Sequence, residues 1–357
     1  MNNKEELMNS LRRLGTLSIV LLTLLCLAPF SFAAEPRIIK FAHSEGEIDI
    51  IQSPYLAYTN IFKSIVESQT GGKYKVEVYP NKQLGDLRSM AEQLSRGTIE
   101  ISGGQNSGLL ASFAPAFQVT EMPYAFQNTE IGRIVFQGQF GKELSDELAA
   151  KSNIRILSYL PSAFRCFSNT KRPIRTPADM KGLKMRTMET SIHMEMVRAL
   201  GASPTPIAWS ELYSALQTGV VDGQENAPYV VLLGKLQEVQ KFYTLDNHLL
   251  NLALIIINDK FYKGLPPEDR RVFDYAARQA EMAFLGVVAA KEALDLEEIA
   301  KAGVKIYSPT PAEFAEFVKA TKEPVLKVIK EKVEPKWVSK LYDAIKQAEI
   351  QTGLAKP

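Results

Sequence analysis

The sequence predicts an α/β fold of two lobes, and three observations predict it. Strand-like alternation and helix-like periodicity follow one another along the chain. About 320 residues remain after an apolar leader, enough for two cores. One helical stretch is longer than a single small domain needs. Taken in order, RIIKFA (37 to 42) and YKVEVY (74 to 79) alternate as strands do, with helical spacing over 53 to 70 before Gly71-Gly72, which makes a βαβ unit. A helix over 87 to 95 ends at Gly97 and leads into the strand TIEIS (98 to 102). A helix over about 130 to 150 precedes the strand NIRILSYL (153 to 160) and a loop with Pro173 and Pro177. From Lys181 the pattern predicts a strand (182 to 188), a helix (about 190 to 200), a Gly-Ala-Ser-Pro turn, a helix (209 to 218), a short strand (220 to 222) and a helix from about 227. LLNLALIIIN (249 to 258) is a long apolar strand. From 267 to about 302 helix formers continue with Gly286 as the only interruption. Some 34 residues at about 1.5 Å each span about 50 Å, enough to brace two lobes. No low-complexity linker appears, so the chain is expected to cross between lobes more than once, as in a clamshell whose strands serve as hinges.

Residues 1–33 read as a secretory signal peptide, with Lys4, Arg12 and Arg13 ahead of an uncharged run from Leu14 to Ala34 and small residues at Ser31 and Ala33. Elsewhere no run approaches the roughly 18 apolar residues of a membrane span. Removal of the leader takes Cys26 and leaves Cys166 alone, so stability must come from packing rather than from a disulfide. The formal charge of +2 is spread evenly, which argues against a nucleic-acid partner. His43, His193 and His248 lack ligand-like spacing and read as packed or surface residues; no metal and no cofactor is expected.

Catalytic signatures are missing: there is no GxSxG, HExxH, GxxxxGK[ST] or GxGxxG. Binding chemistry is better represented. In GLKMRT the period of two puts Leu183 and Met185 on one face and Lys184 and Arg186 on the other, with Arg186 at the carboxyl end of the strand, where open α/β sheets place ligands. A guanidinium there either grips a carboxylate through two parallel bonds or pairs with a neighbouring acid. Arg165 also sits just beyond a strand end. Trp209 either walls a ligand or closes its helix on the sheet. Asn226, before Ala227-Pro228, reads as a helix N-cap that can bind a ligand as well.

The stretch from Asp179 to Asn226 carries KGLKMR, LGASPTPIAWSELYSALQ and GVVDGQEN in order, and closely resembles the signature region of the periplasmic solute-binding proteins of TRAP transporters. YPNKQLGDLRSMAEQLSRGTIEIS, EVQKFYTLDNHL and the helix after LPPEDRR extend the resemblance over nearly the whole mature chain. It implies a two-lobed periplasmic-binding-protein clamshell with hinge strands and a long helix bracing both lobes. The function implied is capture of an organic acid and delivery to a membrane permease driven by a sodium or proton gradient. Arg186 is then the main carboxylate clamp, Arg165 assists, and Asn226 and Trp209 touch the ligand, while Asp222, Gln224 and Glu225 hold the VDGQEN knot in shape. Where sialic-acid-binding members carry acidic residues, this chain has Leu87 and Gln105, so the pocket looks unsuited to a large amino sugar. Gln105, Asn106 and Ser44 would offer neutral hydrogen bonds to a small dicarboxylate or a 2-hydroxy or 2-oxo monocarboxylate.

The expected organisation is a signal peptide over 1–33, lobe I over 34–162 plus about 252–290, and lobe II over about 163–251 plus 291–357. The mature chain is expected to be a soluble periplasmic monomer with TRAP permease subunits as partners and no nucleic acid. A receptor for a membrane sensor, or a secreted enzyme acting on an organic acid, stand as alternatives.

Overall fold

The computed structural model describes residues 35–46, 49 and 53–355, together with Met8. The expected signal peptide otherwise lies outside the described residues. The chain divides into Met1–Pro36 and the body Arg37–Pro357, which carries all that follows. Nine strands of the body form one mixed sheet: β1 (Arg37–His43), β2 (Tyr74–Tyr79), β3 (Ile101–Asn106), β4 (Ile154–Asn169), β5 (Lys184–Thr187), β6 (Ser203–Pro206), β7 (Gly223–Asn226), β8 (Phe242–Asn258) and β9 (Lys305–Tyr307). Their order is β2-β1-β3-β8-β4-β7-β5-β6, with β9 beside β8.

Two parallel wings flank an antiparallel centre. On one side β2, β1 and β3 run parallel, and on the other β7, β5 and β6 do so. Between them β4 and β8, of 16 and 17 residues, pair antiparallel along nearly their whole length. Strands this long reach through both wings, so the same two ribbons organise both halves of the sheet. Their register shifts at three places, between Ile156 and Ser158, Pro161 and Ala163, and Arg165 and Phe167; the middle one lies opposite Leu252 and Asn251, where the proline ring cannot donate to the ladder.

The helix Pro267–Lys301 matches the long helix expected from the sequence. Its first part packs against the helix Pro54–Gln69, burying Phe273, Ala277, Ala280 and Phe284 with Phe41, Tyr58 and Phe62. Toward its other end Ile299 enters a separate core with Leu212, Leu216, Val221 and Tyr243. A single rigid rod therefore ties two apolar cores. The helix Pro311–Lys332 packs on Ser191–Ala199, whereas Pro335–Gln351 packs on Thr129–Gln137.

Several local expectations change. The helix expected over about 130 to 150 is two, Thr129–Gln137 and Gln139–Ser152, parted at Gly138. The strand expected over 153 to 160 runs on to Asn169, which puts Arg165 within it and not beyond its end. The short strand lies at Gly223–Asn226 rather than at 220 to 222, because Val220 and Val221 form a bend that precedes it and Val221 packs inward alone. The strand foreseen at 98 to 102 starts at Ile101 and continues to Asn106, carrying two polar residues to the strand's end. Asp222 stitches this region together: its backbone N–H donates to the Lys184 carbonyl at 2.7 Å and its carboxylate accepts from the Lys184 N–H at 2.9 Å. Gly223 is required by close approach, since a Cβ there would lie 2.2 Å from the Ser168 carbonyl oxygen. Replacing Gly223 with Ala is expected to destabilise the fold by about 1–3 kcal/mol through overpacking, read as a lowered urea midpoint with an unchanged m-value; an unaltered midpoint would refute this account of β7.

Candidate functional site

The carboxyl end of β5, the ends of β3 and β7 and the middle of β4 and β8 converge on a cavity of about 110 Å³. Arg186, Arg165, Asn226, Trp209, Gln105, Asn106 and Ser44 all line it. Seven residues separated by up to 182 positions are thus brought to one wall system by the crossing of the two wings. Arg186 is 3% exposed, and its Nε donates to the Ile207 carbonyl at 2.8 Å. Among the described residues neither terminal nitrogen of this guanidinium has a hydrogen-bond or ion-pair partner. Burial pushes its pKa down to about 10, with the positive charge of Arg165 acting in the same direction. The charges of Glu225 and Glu189 oppose that shift only in part; a buried cation without a direct ion-pair partner is costly, and an anion in the cavity offsets that cost.

Arg165 differs sharply. Its Nη2 donates to Glu225 Oε1 at 2.8 Å and to the Glu225 carbonyl at 2.7 Å, its Nε donates to Glu225 Oε2, and its Nη1 donates to Asn251 Oδ1 at 3.0 Å. Every nitrogen of this guanidinium is committed to the protein. Glu225, fully buried in β7, also accepts from His193 Nδ1 and His248 Nε2, both at 3.2 Å. His193 Nε2 bonds to Glu121, which also accepts from Ser107, and His248 Nδ1 bonds to Asp246 Oδ2 at 2.8 Å. An imidazole flanked by carboxylates on both nitrogens must be the doubly protonated cation, because only that form donates twice. Three carboxylates therefore meet three cations: Glu121, Glu225 and Asp246 against Arg165, His193 and His248. Burial opposes charging at Glu225 and His248, and the partners win: Glu225 is held well below the usual carboxylate range by Arg165 and the histidines, and His248 is raised from 6.5 to about 9 by Asp246 and Glu225. This network was illegible in the sequence, where its members are separated by up to 127 positions and each alone is an ordinary packed residue.

Asn226 is a correction. It is the last residue of β7, and the helix Pro228–Leu233 has Ala227 at its cap position without a side-chain cap bond. Its Nδ2 donates instead to Gln224 Oε1 at 2.6 Å, and Gln224 donates to Ser168 Oγ at 2.8 Å. Asn106, by contrast, is a true cap, accepting from the Leu109 N–H at 2.8 Å, which leaves its amide nitrogen for the cavity. Gln105 is fully buried and spends its amide nitrogen on the Leu87 carbonyl and Ser102 Oγ. Trp209 both lines the cavity and packs against Leu212 and its neighbours, tight against Gly234, where an added Cβ would lie 2.6 Å from the ring. The packing reading of Trp209 holds, and its place on the cavity leaves room for the other. Sequence reasoning missed Glu45, Tyr55, Lys82, Arg88, Tyr229 and Asn251 in the lining. Tyr229 carried a signal, following the N-terminal proline of a helix beside the knot; its hydroxyl accepts from Asn251 Nδ2 at 2.8 Å.

With that geometry in view, residues 46–332 match the sequence profile of the bacterial extracellular solute-binding proteins of family 7, DctP. The chain belongs to this family. Its members are the substrate-binding components of TRAP transporters, so this chain is a binding protein that serves a transporter and not an enzyme. It is 38% identical over 218 residues to a solute-binding protein of Verminephrobacter eiseniae, covering 61% of this chain and 64% of that one. It is 34% identical over 284 residues to the C4-dicarboxylate-binding periplasmic protein DctP of Rhodobacter capsulatus, covering 78% of this chain and 82% of the other. Among solved structures, the sugar acid binding protein DctPAm of Advenella mimigardefordensis, in complex with galactonate, superposes with a TM-score of 0.82 at 28% identity, covering 88% of this chain and 99% of that one. The two-lobed α/β clamshell is the architecture of the family's solved members. Among the described residues no helix is long and apolar enough to cross a membrane, and no cluster of three or more metal-ligating side chains is present.

The network makes a pH dependence. His248 has a folded pKa of about 9 against 6.5 for the free side chain. A raised cationic pKa contributes stability that is complete below 6.5 and is lost as pH rises through 9. The melting temperature is therefore expected to fall between pH 6.5 and 9, and His248→Gln is expected to flatten that slope. A melting temperature that is level or rises across the window would contradict the charged imidazole. Glu225→Gln, which strands three cations, is expected to cost about 3–5 kcal/mol in denaturant unfolding.

Proposed function

We propose that the protein captures a small organic acid in the cavity beneath Trp209 and hands it to a TRAP permease, with Arg186 forming the salt bridge to the ligand carboxylate. One observation carries this reading: Arg186 is a buried guanidinium whose fork has no hydrogen-bonded anionic partner among the described residues, while its neighbour Arg165 is engaged by Glu225 and Asn251. A carboxylate matches the fork in shape and charge, and its two oxygens accept parallel bonds that a lysine could not direct as well. Arg165 then acts on the ligand chiefly through field and through Asn251, rather than as a second clamp. Asn106, Asn226, Ser44 and Gln105 complete the polar wall, and Trp209 and Leu252 the apolar one.

The lobes are proposed to meet where β4 and β8 break register, near residues 162 and 252. The packing of the terminal helix Pro335–Gln351 on Thr129–Gln137 supports assigning that helix to lobe I instead of lobe II. Closing of the lobes excludes water from the cavity, which strengthens each charge-assisted bond. The signal peptide expected over 1–33 and the relatives named as periplasmic support a site of action outside the cytoplasmic membrane. Relatives named for C4-dicarboxylates and for a sugar acid support a small carboxylate as ligand.

Replacing Arg186 with Ala or Lys is expected to raise the calorimetric Kd at least tenfold for the acid released from the purified protein and identified by mass spectrometry. A lost charge-assisted bond of about 1.5–3 kcal/mol sets that scale. An unchanged Kd would remove Arg186 from the site.

A further inference from the structure

Glu45 was not foreseen from the sequence, yet it lines the cavity. Its loop is clasped to the following turn, since the Asn81 N–H donates to the Glu45 carbonyl at 3.1 Å and the Lys82 N–H donates to the His43 carbonyl at 3.2 Å. The side chain lies over Gly104 of β3, where φ is +78° and an added Cβ would come within 3.2 Å of Ser44 Oγ and 3.9 Å of Glu45 Oε1. Ser44 donates its hydroxyl to Glu45 Oε1 at 2.8 Å, which fixes the carboxyl and leaves Oε2 without a hydrogen-bond donor among the described residues. Burial raises the Glu45 pKa, opposed by the Ser44 bond and by His43 and Lys82. Next along the wall, Gln105 has both its amide donors turned to the Leu87 carbonyl and Ser102, and its Oε1 has no partner. Glu45 Oε2 and Gln105 Oε1 thus form a patch of unfilled acceptors on this wall, beside which Asn106, Lys82 and Arg88 are the donors.

We propose that Glu45 selects the end of the ligand away from its carboxylate, accepting hydrogen bonds from ligand hydroxyls and opposing a second carboxylate, so that the cavity prefers a hydroxylated monocarboxylate to a dicarboxylate. The inference rests on Arg186 holding the first carboxylate. A hydroxyl donates to a carboxyl oxygen that already accepts from Ser44 elsewhere, whereas a second ligand carboxylate brings only acceptors to acceptors and like charge to like charge. The remaining cations of the lining do not reverse this. Lys82 already acts on Glu45, and Arg88 is partly exposed, so a carboxylate placed there gains a contact screened by water. An ammonium group on the ligand would in turn meet the charge of Lys82.

Isothermal titration of the full mature chain with two four-carbon probes, 2,3,4-trihydroxybutanoate and succinate, tests the proposal. The wild-type protein is expected to bind the trihydroxy acid at least tenfold more tightly, and Glu45→Gln is expected to reduce that ratio at least tenfold, with Glu45→Asp keeping part of it. Succinate binding as tightly as the trihydroxy acid to the wild type would overturn the proposal without need of any variant, as would an unchanged ratio in a folded Glu45→Gln protein. An Arg186→Lys control separates the two levels. If Arg186→Lys weakens both probes while Glu45→Gln leaves their ratio alone, the clamp stands and the role of Glu45 falls. If neither probe binds, or Arg186→Lys binds as the wild type does, the clamp itself falls and the Glu45 proposal with it.

Discussion

Buried charge must be neutralised, and the way this chain does so decides what its cavity can hold. Glu225 sits at the centre, fully buried in a four-residue strand, and draws Arg165, His193 and His248 onto its two oxygens. Those partners come from β4, from the helix Ser191–Ala199 and from β8, so one carboxylate fastens three elements that meet at the cavity floor. Glu121 and Asp246 close the balance at the outer ends of the histidines. Removing a single member leaves its partners charged and dry, which explains why a binding site of modest size is built on so extensive a polar foundation.

The same arrangement divides two neighbouring arginines into different tasks. Arg165 is saturated by the protein, and Arg186 is left with its fork facing the cavity. The difference arises from register rather than composition: Arg165 lies beside Glu225 across the β4–β7 ladder, where Phe167 pairs with Glu225 and Cys166 with Asn226, while Arg186 pairs with Thr205 of β6. A cation that is buried, positioned by one backbone carbonyl and otherwise unpartnered is a preorganised receptor for an anion. Preorganisation matters because the ordering cost has been met in folding rather than at binding.

Much of this was legible in the sequence, for physical reasons that also explain the rest. Alternation and helical spacing are local signals, so β1, β2, β5, the long helix and the apolar half of β8 stand where the pattern puts them. β7 was displaced by three residues because its side chains are polar; Gln224, Glu225 and Asn226 are buried, and Gln224 and Glu225 are satisfied by Ser168 and Arg165, partners that no window of ten residues contains. Arg186, Asn226, Trp209 and Gln105 were placed by motif resemblance, and the cavity gathers them. Glu45 and Glu121 were not singled out, and His193 and His248 read only as packed or surface residues, since their significance lies in pairs across 32, 72 or 23 positions, or in a loop facing a glycine.

The central claim is that the ligand carboxylate replaces the missing counter-charge of Arg186 and leaves the Arg165–Glu225 pair intact. A crystal structure of the protein with its co-purified acid tests this most directly. The account predicts carboxylate oxygens at about 2.7–2.9 Å from the terminal nitrogens of Arg186, with Glu225 still bonded to Arg165, His193 and His248. A ligand bound to Arg165 with Glu225 displaced, or a carboxylate away from Arg186, would contradict it.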